Sequence, residues 1–301
     1  MSDLCILVSV YHPYKWVADF THRFMDRFWP DHPPLFFCGL TSEEAGDLPH
    51  IPCRDKELPR SWAKFVRDAC EDLAAQGYKK CYFLLEDHPP LGPCHVGHLN
   101  ETLPELLDVM GAAYIGLMGW DNRRFLARGP VLANGLMHLT ASESPRFHLH
   151  PSLFRLDVLT GCLDLLLQQK NQTPWGFEKT CDKADNSLPE EWKQGCYQIR
   201  GEDLAVNPSV GLGRLLRTAE RKFYHRAMSL VPVSQKLGLG MAFWDALGYD
   251  DFFYNGPYPM FYAGVMSRGK VNPFLLKYLE RHKSDPSLQE LIAASKAQGA
   301  A

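Results

Sequence analysis

No stretch of this sequence approaches the ~20 consecutive apolar residues that a membrane-spanning helix needs. Basic residues are not in surplus either. Lys and Arg number 32 against 35 Asp and Glu, for a formal net charge of −3. That balance argues against nucleic acid or an anionic membrane as the main partner. The nine cysteines form no Cys-x-x-Cys pair and show no zinc-type spacing. Their odd number and scatter fit reduced thiols rather than a disulfide framework. The opening Met1-Ser2-Asp3-Leu4 lacks the basic region of a secretory leader, so the expected location is cytoplasmic. There is no internal repeat. One glycine-rich string, Val210-Gly211-Leu212-Gly213-Arg214, invites a dinucleotide-binding reading. It fails because Leu216 stands at the third glycine position and no clear strand precedes it.

What is present describes a globular protein. Hydrophobic residues make up 46% and charged residues 22% of 301 positions, enough for one large α/β domain with an appendage. Leu4 to Val10 is an aliphatic, β-branched strand ending in the turn Ser9-Val10-Tyr11-His12-Pro13. Val17, Phe20, Phe24 and Phe28 recur at helical spacing, and Leu35-Phe36-Phe37-Cys38 reads as a second strand. This strand–helix–strand order opens a parallel sheet with a right-handed crossover. Ser61 reads as the N-cap of a helix through Leu73 that Gly77 ends. Val96 to Met110 reads as another helix, and Ala112 to Leu117 as a strand.

The most informative stretch is Cys81-Tyr82-Phe83-Leu84-Leu85-Glu86-Asp87-His88-Pro89-Pro90. A continuous apolar strand, buried on both faces, runs straight into two acids and a histidine, and two prolines stop it. In open α/β sheets ligands bind at this carboxyl edge. Desolvated acids there need a partner, and a divalent metal carrying phosphates is one.

Farther on comes Phe147-His148-Leu149-His150-Pro151-Ser152-Leu153-Phe154-Arg155-Leu156-Asp157, which resembles a glycosyltransferase acceptor-side strand running into a helix. His148 and His150 alternate and so share a face, and Asp157 is the expected N-cap. In Thr173-Pro174-Trp175-Gly176-Phe177-Glu178, Thr173 reads as N-cap and Pro174 as the first helical residue. A reciprocal capping acid would belong at Gly176, so capping does not account for Glu178.

Ser61-Trp62, the apolar strand with Leu85-Glu86-Asp87, and Pro174-Trp175-Gly176-Phe177-Glu178 together resemble nucleotide-sugar-dependent glycosyltransferases of the GT-A type. They are similar in particular to the bacterial surface-polysaccharide branch, whose strand ends in Leu-Glu-Asp-Asp. The resemblance implies an α/β, GT-A-like (Rossmann-like), mostly parallel sheet flanked by helices. It implies a nucleoside-diphosphate sugar donor and a glycan or lipid-linked acceptor, with peripheral membrane contact at the inner face.

The acidic run would carry a divalent metal, Mn or Mg, through Asp87 with Glu86 or His88. Here His88 departs from the family pattern by standing where an aspartate is expected, and imidazole suits magnesium poorly. Ser9, Tyr11 and Tyr14 would touch the nucleoside, with Glu86 and Asp87 facing the donor. Glu178 would be the general base of an inverting transfer, and Trp175 and His150 would face the acceptor. Two alternatives remain at this point, a non-catalytic nucleotide-sugar-binding protein on the same fold and a nucleotidyltransferase. The second would want a glycine-rich basic loop after the first strand, and none is there.

The expected division is a catalytic domain over 1–235 and a C-terminal extension over 236–301. The extension is crowded with aromatics, holds a helix from Pro273 to Lys283, and is expected to be frayed beyond Ser284. Arg123, Arg124 and Arg128 are candidates to face phosphate, and the basic stretch 215–230 is a candidate to face a lipid-linked acceptor.

Overall fold

The structure is a computed structural model. It describes residues 2–54, 61–117, 132, 134–139, 147–181, 183, 186–199, 253–254, 256–261, 264–267, 270–282 and 285–299. The expected boundary near 235, the 123–128 arginines, the 210–214 glycine string and the basic stretch 215–230 lie outside these residues. So do the extension's aromatics Phe243, Trp244, Tyr249, Phe252 and Tyr262.

Seven strands form the main sheet: β1 (Leu4–Ser9), β2 (Leu35–Cys38), β3 (Lys80–Leu85), β4 (Tyr114–Gly116), β5 (Leu136–His138), β6 (Ser152–Arg155) and β7 (Cys196–Ile199). Their order is β2-β1-β3-β6-β4-β7-β5. β2, β1 and β3 run parallel, as do β4 and β7. β6 is antiparallel to both β3 and β4, and β5 is antiparallel to β7. Five of the seven strands therefore share one direction, the mostly parallel α/β sheet that the sequence predicts. β7 escaped the sequence reading because its Cys-Tyr-Gln-Ile lies inside a polar segment and carries a buried glutamine.

Helices cover both faces. They are α1 (Lys15–Phe28), the single turn α2 (Ser42–Ala45), α3 (Trp62–Ala75), α4 (Leu103–Val109), α5 (Leu156–Leu167), α6 (Pro174–Cys181) and the short α7 (Glu190–Gln194). Alternate residues of β1 feed opposite cores, as a buried strand requires. Cys5 and Leu7 pack with α3, α5 and α6. Leu4, Ile6 and Val8 pack with Met25, Trp29 and the α4 leucines. None of the nine cysteines is in a disulfide, and eight are buried. Burial pushes thiols such as Cys38 up, away from the reactive thiolate.

Several local expectations change. The helix read over Val96–Met110 begins as one π-helical turn, His98–Thr102, before α4. β6 starts only at Ser152, so His148 and His150 lie in the irregular chain before it, not in a strand. The residue capping α5 is the extended Arg155. Asp157 sits inside the first turn, paired with Arg155 at 2.5 Å. Two other signals hold: Ser61 Oγ accepts from Lys64 N, and Gly77 follows α3 at φ +95°.

The C-terminal part adds two small hairpins, β8 (Phe253–Tyr254) with β9 (Met260–Phe261) and β10 (Met266–Ser267) with β11 (Lys270–Val271). Two helices follow, α8 (Pro273–His282) and α9 (Pro286–Gly299). The end expected to be frayed is thus helical through α9. Leu288, Leu291 and Ile292 bury against Phe20, Phe24 and Phe28 of α1. The polar, alanine-rich composition hid this because only three large apolar residues make the contact. Arg27–Asp285 and Arg23–Glu290 add surface ion pairs of small energetic weight.

Candidate active site

The carboxyl edge of β1 and β3 brings the first group of residues together. Ser9 is paired in register with Leu85, and Glu86 N donates to the Ser9 carbonyl at 3.1 Å. The Glu86 carbonyl accepts from Thr21 Oγ1 of α1 at 2.8 Å. Its carboxylate accepts from Tyr11 N at 3.3 Å. Only 6% of Glu86 is exposed. Burial pushes this carboxyl well up, and the charge of neighbouring Asp87 adds to that, so the neutral acid is favoured.

Asp87 faces a different environment. Its carbonyl accepts from Val265 N at 2.7 Å. Gly264 has φ +72°, and a Cβ there would stand 2.5 Å from Asp87 Oδ2. The glycine is what lets the C-terminal backbone close over the carboxylate. Asp87 Oδ1 is buried, lies 2.9 Å from His88 Nδ1, and among the described residues accepts no well-directed hydrogen bond. The His88 carbonyl accepts from the buried Tyr258 hydroxyl at 2.9 Å.

One carboxylate oxygen and one imidazole nitrogen side by side offer two ligands that suit a first-row transition-metal cation better than magnesium. Glu86 Oε1 accepts from the loop after β1, and among the described residues the three acidic-turn side chains form no three-ligand group.

The second group arrives from the loop before β6 and from α6. Because Ser152 pairs with Phe83, the chain just before β6 reaches the same sheet edge at which β3 ends. The His88 and His150 rings meet edge to face, with centroids 5.1 Å apart. His148 follows at 6.1 Å from His150. Glu178 Oε1 accepts from Leu149 N, between the two histidines, at 3.2 Å. The possible ligand atoms of His148, His150 and Glu178 all lie within 4.8 Å of one another. Tyr114 and Ser152 brace the loop. His148 N donates to the Tyr114 hydroxyl at 3.3 Å, and Ser152 Oγ donates to the His150 carbonyl at 2.7 Å.

α6 starts as its sequence dictates. Pro174 is its first residue, and Thr173 Oγ1 accepts from Gly176 N at 3.3 Å. A side chain at Gly176 would collide with the Asn171 carbonyl, so this helix start tolerates only glycine there. Phe177 is buried edge-on against Trp62 at 6.0 Å, and Trp62 Nε1 donates to Ser9 Oγ at 2.7 Å. Trp62 thereby ties the end of β1 to the helix that carries Glu178.

Of the residues expected from sequence, Ser9, Glu86, Asp87, His88, His150 and Glu178 come together. Tyr11 and Tyr14 sit beside them on the loop after β1, ring to ring at 5.2 Å, with Tyr11 57% exposed. Trp175 opens α6 with 72% of its surface exposed, so packing does not explain it. His148 belongs to the cluster, which the His-x-His alternation signals. Tyr114, whose hydroxyl accepts from His148 N, carries no such signal.

No protein-family model matches this chain, and no curated protein matches it. Among solved structures it is similar to a protein described as mannose-1-phosphate geranyltransferase from Thermus thermophilus. The TM-score is 0.38 at 11% identity, over 66% of this chain and 74% of that one. An overlap so loose carries no argument about chemistry.

Proposed function

We propose that the chain is a nucleotide-sugar-dependent, inverting glycosyltransferase, moving a sugar from a nucleoside diphosphate to an acceptor hydroxyl. The observation that carries this reading is convergence. The acidic turn after β3 and Glu178 on α6 lie far apart in sequence, yet His88 and His150 bring them to one sheet edge in ring contact. A donor diphosphate needs neutralisation on one side of the anomeric carbon, and an acceptor needs a base on the other.

Each residue then has a task. Tyr11 and Tyr14 present aromatic faces to the nucleoside, and Ser9 marks the floor of that position. Glu86, whose carboxyl is pushed up by burial, anchors the loop on which those tyrosines ride. Asp87 with His88 would hold a divalent cation, Mn or Mg, whose charge stabilises the leaving diphosphate. Glu178 accepts the proton of the attacking hydroxyl. Trp175 offers a flat apolar face for a sugar ring of a glycan or lipid-linked acceptor, and His150 borders the same place. Synthesis of a bacterial surface polysaccharide on the cytoplasmic side of the membrane fits these tasks. No helix among the described residues is long and apolar enough to cross a membrane, so contact with a lipid-linked acceptor would be peripheral.

Glu178→Gln tests the base assignment. Turnover is expected to fall by roughly 10²- to 10⁴-fold, with nucleotide binding unchanged. Turnover at the wild-type rate would remove Glu178 from the mechanism.

A further inference from the structure

The His148–His150–Glu178 group has a donor set of its own. Two imidazoles and one carboxylate suit borderline first-row metals, and three protein ligands leave a coordination position open. Magnesium and calcium prefer all-oxygen shells and are poorly served by it. The ligand atoms lie within 4.8 Å of one another. Tetrahedral zinc brings such atoms to about 3.4 Å, so binding draws the three groups inward. The surroundings already hold the ligands in place. Leu149 N–H fixes one Glu178 oxygen, the Tyr114 hydroxyl holds the backbone at His148, and Ser152 holds it at His150. The Leu149 N–H is an outer partner of a ligand group itself, and the other two contacts fix the backbone that carries the imidazoles.

We infer that His148, His150 and Glu178 form a binding site for a zinc-class divalent metal, separate from the diphosphate cation position at Asp87. The site stands on its own geometry and donor chemistry and does not depend on the transfer reaction. One consequence does rest on that reaction: a metal at this place takes the Glu178 carboxylate out of base work, so zinc and transfer compete.

The test is titration of the purified protein with Zn²⁺ against a chromophoric chelator, with Co²⁺ as a spectroscopic substitute. One equivalent is expected to bind, and Co²⁺ is expected to show the intense visible absorption of a low-coordinate ion. His148→Ala, His150→Ala and Glu178→Gln should each weaken Zn²⁺ by more than the roughly 10- to 100-fold that loss of an outer partner costs. Because His150 is partly buried and its removal can disturb folding, the wild-type imidazole NMR spectrum serves as a second readout. Zn²⁺ should shift two histidines, assigned to His148 and His150, and Mg²⁺ should shift neither. Absence of Zn²⁺ binding, undiminished affinity in folded variants, or unmoved His148 and His150 signals would overturn the site. None of these readouts uses turnover, so a failed transferase reading leaves the metal result intact.

Discussion

The two halves of the candidate site are built differently. The turn Glu86–Asp87–His88 is gripped by the main chain and buried side chains of distant segments. Ser9 and Tyr11 hold it from β1 and its loop, Thr21 from α1, and Tyr258 and Val265 from the C-terminal part. The loop His148–His150 and Glu178 are instead braced locally, by polar side chains at the same sheet edge and by one backbone N–H between the histidines. The first half is a fixed frame set by the fold. The second is a side-chain constellation placed against it. In the proposed transfer the first would carry the cation and the phosphates, and the second the acceptor and the base.

That contrast predicts substitutions in the frame to cost stability, and substitutions in the constellation to cost function. The largest stability effect should come from Glu86 and depend on pH. Its folded carboxyl is raised by burial, whereas the unfolded chain ionises near ~4.3. The stability it contributes is whole below that value. It is lost as pH rises toward the elevated folded value, by about 1.4 kcal/mol per pH unit at most. Glu86→Gln keeps an acceptor for Tyr11 N–H and removes the titration. The Tm of the variant should gain on the wild type as the buffer moves from about pH 5 to about pH 8, and parallel Tm curves would break the frame account.

Gly264→Ala comes next. It forces a Cβ toward Asp87 at a positive φ and should cost roughly 1–3 kcal/mol in chemical denaturation. Tyr258→Phe strips the donor from the buried His88 carbonyl, and a loss of about 1 kcal/mol is expected. Smallest in stability is Trp175→Ala, within about 0.5 kcal/mol of wild type because the ring is exposed. Its effect should appear as a raised acceptor KM with kcat retained. A large stability loss there would make Trp175 part of the frame.

The frame was largely legible in the sequence. Continuous apolar runs marked β1 and β3, and the abrupt ending of β3 in carboxylates marked the sheet edge. The cap chemistry of Ser61 and Thr173 placed α3 and α6, and a glutamate that capping could not explain pointed to Glu178. Other features were not legible because their signals are non-local. Nothing near Tyr258 or Gly264 in sequence says that they close over His88 and Asp87. The pairing of Ser152 with Phe83, which carries His150 to His88, is a matter of strand order alone. The strand expected over Phe147–Leu156 began too early because alternating apolar residues also suit an irregular loop packed on a sheet edge. α9 was hidden by its alanines, which favour helix but leave little apolar surface to mark a buried face.

The most direct test of the account is calorimetric titration with UDP, GDP, CDP and dTDP, each with and without Mn²⁺, on the wild type and on Asp87→Ala. The account predicts that one nucleotide binds, that Mn²⁺ strengthens it, and that Asp87→Ala removes the Mn²⁺ effect. Binding of none of the four, or a Mn²⁺ effect that survives in Asp87→Ala, would contradict a donor site at the end of β3.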